Sequence, residues 1–137
     1  FIIHKFQEMK TRVLLFLIAL FAATTVEISA QNVVNIKSND VSGFLKKNKT
    51  VTILDVRTPE EFNSGHLEGA INIDIRNQDA VNKINALNKE AKYLVYCRTS
   101  NRSGAITDYM VKNGFKDVTK MEDGIVGWNA NQYPLVK

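Results

Sequence analysis

The sequence has little of what fastens small proteins by covalent or metal links: one cysteine, two histidines and two prolines in 137 residues. A single cysteine excludes an intrachain disulfide framework. One cysteine with two histidines cannot build a zinc site of four cysteines, or of two cysteines and two histidines, so neither a metal nor another cofactor is expected. No apolar run approaches the roughly twenty residues that a bilayer-spanning helix needs. Arginine-rich stretches interleaved with aromatics are missing too, so the net charge of +4 reads as a solvated basic surface and not as a nucleic-acid footprint. What remains, 45% hydrophobic and 23% charged residues, suits one compact domain with its own core.

Residues 1–30 read separately from that domain. Met9 is the expected start, and Lys10 and Arg12 make a short basic region. An uninterrupted apolar run follows over 13–23, and a polar stretch then ends at Ile28-Ser29-Ala30 with a small residue before the expected cut. This is the pattern of a secretory signal peptide. It predicts cleavage near Ala30, export to the periplasm or the medium, and a mature form without a stable membrane span. Phe1 to Glu8, upstream of Met9, are given no function. Residues 31–137 are long enough to bury one core without staples.

Within 31–137, apolar runs alternate with helical patterns across short connections, which predicts an α/β domain with a parallel sheet covered by helices. Strands are expected over 33–36, 51–54, 70–73, 93–96 and 118–121. Helices are expected over 38–48, capped by Ser38 or Asp40, over 79–87 with Val81, Ile84 and Leu87 inward, over 103–113, and over 124–131 around Trp128. Thr58-Pro59-Glu60-Glu61 opens another helix. Thr58 can cap, Pro59 takes the first helical position where its missing N–H costs nothing, and Glu61 can reach back to the cap. Gly114 is expected at a left-handed helix stop.

The chemistry concentrates at Cys97. It follows the apolar strand Tyr93-Leu94-Val95-Tyr96 and precedes a helix, in Cys97-Arg98-Thr99-Ser100-Asn101-Arg102-Ser103. Ligands of parallel α/β sheets bind at the carboxyl ends of the strands, and a helix start behind the loop offers unsatisfied N–H groups and a positive dipole end. Such surroundings favour the thiolate, which is the nucleophilic form. Arg98 and Arg102 can hold a small oxyanion through their guanidinium groups. A lone cysteine beside a strand is most often a small buried hydrophobe, but that reading leaves Arg98 and Arg102 without a reason.

Three stretches are similar to signatures of the rhodanese-like (thiosulfate sulfurtransferase) family: Leu54-Asp55-Val56-Arg57-Thr58-Pro59-Glu60-Glu61-Phe62, Gly65-His66-Leu67-Glu68-Gly69-Ala70-Ile71-Asn72-Ile73, and Cys97 to Ser103. The segment from Gly124 to Pro134 resembles the family's closing segment. The resemblance implies a sheet of about five mostly parallel strands with helices on both faces, and a cysteine that carries sulfur as a persulfide. Related phosphatases and arsenate reductases have a loop one residue longer around a tetrahedral oxyanion. Four residues separate Cys97 from Arg102 here, so the resemblance implies sulfur transfer.

The expected mechanism is a double displacement. Cys97 takes the outer sulfur of a small anionic donor such as thiosulfate, and the N–H groups of residues 98–103 with Arg98 stabilise the leaving sulfite and the persulfide. The acceptor is cyanide, a thiol or a protein. Thr99, Ser100, Asn101 and Ser103 belong to this cradle. Arg102 either contacts the oxyanion or braces the loop through Asp55, whose charge otherwise lies unpaired at the ligand end of the sheet. Asp55 and Arg57 are expected as loop support, while His66, Glu60, Glu61, Phe115 and Trp128 are read as structural. The family usually has glycine where this chain has Ser100. A left-handed backbone there would cost serine about 1–2 kcal/mol, whereas a loop open to serine would not. The competing functions are a non-turnover persulfide carrier, a redox sensor and a protein-binding module.

Overall fold

The computed structural model describes residues 2–22 and 32–137, with side chains at 2–12 and 32–137. The chain divides into two units, residues 1–30 and 31–137. The first contains helix α1 (Ile2–Ala22). The cleavage expected near Ala30 lies outside the described residues. Among the described residues, no helix is long and apolar enough to cross a membrane.

The second unit is an α/β domain. In chain order it runs β1 (Val34–Ile36), α2 (Ser38–Lys47), β2 (Thr52–Asp55), α3 (Pro59–Ser64), β3 (Ile71–Asn72), α4 (Ala80–Asn85), β4 (Lys92–Tyr96), α5 (Asn101–Lys112), β5 (Asp117–Met121) and α6 (Gly124–Ala130). The strands form one sheet in the order β1-β5-β4-β2-β3, and every pairing is parallel. From β2 the chain goes outward to β3, and from β4 it goes the opposite way to β5. The neighbouring carboxyl ends of β2 and β4 are therefore a point where the connections diverge, the place where such sheets bind ligands.

Alternation along β4 explains the two-sided core. Tyr93 and Val95 pack on one face with Ala80 and Ile84 of α4 and Ile106 and Met110 of α5. Leu94 and Tyr96 pack on the other with Val41 of α2 and Ile125 and Trp128 of α6. Successive side chains point to opposite faces, so Cys97, the next residue, belongs to the α4/α5 face, and its cluster includes Val95 and Ile106.

Several local signals act as expected. Thr58 and Glu61 form the reciprocal capping box with Pro59 in the first turn, and Gly114 has φ 90° directly after α5 and its cap Asn113. Phe115 is fully buried, and Trp128 donates its indole N–H to the Pro134 carbonyl. Other details differ from the expectation. Neither Ser38 nor Asp40 caps α2. Instead Asp123, at the head of α6, accepts from the Ser38 N–H at 2.8 Å and from its hydroxyl at 2.7 Å. Helix α4 is shorter than predicted, and its inward residues are Ala80 and Ile84, one helical turn apart, while Val81 is 47% exposed. Helix α5 starts two residues earlier than expected, at Asn101.

Candidate active site

Cys97 lies one residue past β4 and is 1% exposed. Its sulfur accepts the backbone N–H of Ser103 at 3.4 Å, and the thiol donates to the Ser103 hydroxyl at 3.3 Å. That hydroxyl donates in turn to the Ser100 carbonyl at 3.2 Å. Loss of the thiol proton would leave the sulfur as an acceptor only, facing one N–H and one hydroxyl able to turn toward it. The first turn of α5 thus meets the sulfur as a helix N-terminus meets an anion.

Helix α6 shapes the rest of the loop from the far side. Its Ile125 N–H donates to the Cys97 carbonyl at 3.0 Å, and its Val126 N–H donates to the Arg98 carbonyl at 3.1 Å. With those carbonyls engaged by α6, the N–H groups of Arg98, Thr99 and Ser100 have no acceptor among the described residues. They are free to donate to an anion bound at the head of α5. Ser100 has φ −143°, so its backbone is not left-handed and serine carries no strain there.

A cavity of about 310 Å³ opens over the cysteine, lined by Glu61, Arg76, Cys97, Arg98, Thr99, Asn101 and Arg102. A larger cavity of about 640 Å³ between α2 and the closing segment shares none of these residues and has no cysteine in its lining. Among the described residues, no group of three or more His, Cys, Asp or Glu side chains is placed to hold a metal ion.

Asp55 and Arg57 form a buried ion pair. Arg57 donates to both Asp55 carboxylate oxygens at 2.6–3.0 Å, and at 2.7 Å to the Gly65 carbonyl. Burial works against the Arg57 charge, but the hydrogen bonds and charge of Asp55 prevail and its pKa is raised. Burial, and then the charge of Asp55, push the Tyr96 phenol well above its ordinary value. Tyr96 stays a neutral hydroxyl that accepts the Leu67 N–H at 3.0 Å. This pair supports the carboxyl ends of β2 and β4, since Asp55 lies in register with Tyr96. Breaking it from one side would cost about 3–5 kcal/mol.

Arg102 braces the loop, but not through Asp55. Asp55 is taken by Arg57, and Arg102 makes a two-pronged pair with Glu61 at 2.6 and 2.9 Å. Glu61 therefore does more than the helix-start role expected for it, because it ties α3 to the first turn of α5. Sequence reasoning missed this partner since the capping box alone accounted for the glutamate. It also missed Arg76, whose place after the short β3 brings it to the same end of the sheet. His66 is structural, as expected: it is stacked on Phe62 with its Nδ1 at 2.9 Å from the Phe62 carbonyl.

The hydrogen bond from Arg102, against a smaller opposing effect of burial, holds the Glu61 carboxyl down to about 2. A carboxyl with a depressed folded-state pKa stabilises fully above its unfolded value, near 4.5, and loses that contribution as pH falls through about 2. The stability difference between wild type and Glu61→Gln is therefore expected to be flat from neutral pH to about 5 and to shrink from there to about 2. Urea unfolding at a series of pH values measures it. A difference that is constant down to pH 2 would show that the ion pair contributes nothing.

The fold and the site together define an α/β protein that holds one cysteine at the carboxyl end of a central strand, against the first turn of the helix that follows. Residues 38–131 match the family model "Rhodanese-like domain", and the chain belongs to that family. It is 33% identical over 90 residues to the thiosulfate sulfurtransferase GlpE of Pseudomonas putida, covering 66% of this chain and 79% of that protein. It is also 37% identical over 97 residues to the tRNA uridine(34) hydroxylase of Buchnera aphidicola, covering 68% of this chain but 30% of the relative. Among solved structures it is similar to a rhodanese-related protein from Thermoplasma volcanium, with a TM-score of 0.63 and 35% identity over 75% of this chain and 97% of that one.

Proposed function

We propose that the protein is a sulfurtransferase that moves a sulfane sulfur from a donor such as thiosulfate to a thiophilic acceptor through a persulfide on Cys97. The observation that carries this reading is the sulfur itself: the only thiol of the chain accepts the Ser103 N–H at the head of α5, and the loop N–H groups that follow it have no acceptor among the described residues. In the first half-reaction the Cys97 thiolate attacks the outer sulfur of thiosulfate. A bond forms between the two sulfurs, the sulfur–sulfur bond of the donor breaks, and sulfite leaves with that electron pair. Charge is conserved, because a thiolate and a dianion become a persulfide anion and a dianion. Ser103 and the loop N–H groups hold the persulfide charge. In the second half-reaction the acceptor attacks the outer sulfur and the Cys97 thiolate returns.

The test combines intact mass after exposure to thiosulfate alone with thiocyanate production once cyanide is added. A species one sulfur heavier, followed by turnover, is the expected result. Loading without turnover would favour a persulfide carrier, and no loading would overturn the proposal. The similarity to a thiosulfate sulfurtransferase supports the reading.

The basic-apolar-polar order of residues 9–30 supports export of the domain, with cleavage near Ala30. Expression of the full chain in a bacterium, with fractionation and N-terminal sequencing, is expected to give a periplasmic or secreted form starting at Gln31. An intact chain retained in the cytosol would refute export.

A further inference from the structure

Four arginines stand at the carboxyl end of the sheet, and two of them are taken. Arg57 is held by Asp55 and the Gly65 carbonyl, and Arg102 by Glu61. The other two, Arg76 and Arg98, have no ion pair or side-chain hydrogen bond among the described residues, and both line the cavity over Cys97. They come from separate loops. Arg98 directly follows the nucleophile, whereas Arg76 follows β3 on a turn in which its N–H donates to the Asp74 carboxylate at 2.9 Å. The only carboxylate in the cavity lining, Glu61, is already engaged by Arg102. The cavity thus keeps two cationic groups unmatched beside a thiol.

We propose that Arg76 is a specificity-determining residue which, together with Arg98, selects sulfur donors bearing an oxyanion group next to the transferable sulfur. The proposal rests on the sulfurtransferase reading of Cys97 and adds to it the residue outside the cysteine loop that selects the donor. Guanidinium groups bind sulfonate-type oxygens through paired, charge-assisted hydrogen bonds. Two of them on different loops can hold the donor's oxyanion end while the outer sulfur faces Cys97. As the sulfur–sulfur bond breaks, the departing sulfite keeps the electron pair and its charge stays on the arginines, while the persulfide charge stays with Ser103 and the loop N–H groups. Uncharged donors gain nothing from this pair.

The test uses the full chain and Arg76→Gln, with Arg76→Lys as the variant that keeps the charge but loses the fork. Cys97 is the only thiol, so its alkylation by iodoacetate and by iodoacetamide can be followed by intact mass. The two reagents are close in size and differ in charge. Arg76→Gln is expected to slow iodoacetate about tenfold, the size of one lost charge-assisted contact, and to leave iodoacetamide within about twofold. Persulfide formation from thiosulfate should fall by a similar factor, with Arg76→Lys between wild type and glutamine. Equal slowing of both reagents would mark a merely structural residue and overturn the proposal. Unchanged thiosulfate loading in Arg76→Gln would overturn it while leaving the sulfurtransferase reading intact. If wild-type Cys97 takes no sulfur from thiosulfate but Arg76→Gln still loses its preference for iodoacetate, the sulfurtransferase reading fails and the anion-selecting role of Arg76 stands.

Discussion

Cys97→Ser is expected to abolish sulfur uptake: no species one sulfur heavier after thiosulfate, and thiocyanate production reduced at least about a thousandfold. The two side chains are close in shape, and the serine hydroxyl would meet the same Ser103 N–H and hydroxyl that the thiol meets. A change of no more than about 1–2 kcal/mol in unfolding free energy is therefore expected. The chemical change is far larger, because an alcohol does not ionise at neutral pH and forms no persulfide. Since the chain has no second cysteine, sulfur that still loaded onto the serine variant would refute the assignment of Cys97. The same solitude fixes the direction of the cycle. On the proposed reading, no other thiol of the chain can take the sulfur from Cys97, so the acceptor lies outside this chain.

What could be read from the sequence was mostly what is local. The capping box at Thr58 and Glu61, the left-handed Gly114 and the run from Tyr93 to Tyr96 each depend on neighbours within a few positions, and each appears in the fold as expected. The placement of Cys97 was legible for the same reason, since strand, cysteine and helix start are contiguous. The misses are contacts between distant parts of the chain. Asp123 caps α2 at Ser38, 85 residues away. Arg102 finds Glu61, 41 residues away, because Asp55 is already saturated by Arg57 two positions from it. Arg76 reaches the cavity only because β3 pairs with β2 at the edge of the sheet. The conformation at Ser100 was open for a different reason: loop dihedrals depend on what holds the loop, and here α6 holds it.

That hold makes Gly124 the second position of large expected effect. It opens α6 at φ 58°, a left-handed conformation, directly beneath the loop. A Cβ at this position would lie 2.5 Å from the Arg98 carbonyl oxygen and 2.7 Å from its carbon, and would also collide with the Thr99 carbonyl. These are backbone atoms, with no flexible side-chain end to move aside. Gly124→Ala is thus expected to cost about 1–2 kcal/mol for the backbone conformation and about 1–3 kcal/mol more for the overlap. Relief of that overlap must push the loop off α6. Such a shift lengthens the hydrogen bonds from Ile125 and Val126 to the Cys97 and Arg98 carbonyls and displaces the loop N–H groups that follow the cysteine. Sulfur transfer should therefore fall by about a hundredfold, the scale of losing an oxyanion-hole donor, at temperatures where the variant remains folded. Gly43→Ala is the control. It adds a methyl inside α2 where nothing lies within 4 Å, so it should stabilise the domain by about 0.5–1 kcal/mol and leave turnover unchanged. Turnover measured beside urea unfolding for both variants separates the two effects. If Gly124→Ala keeps wild-type turnover while folded, α6 does not set the geometry of the loop.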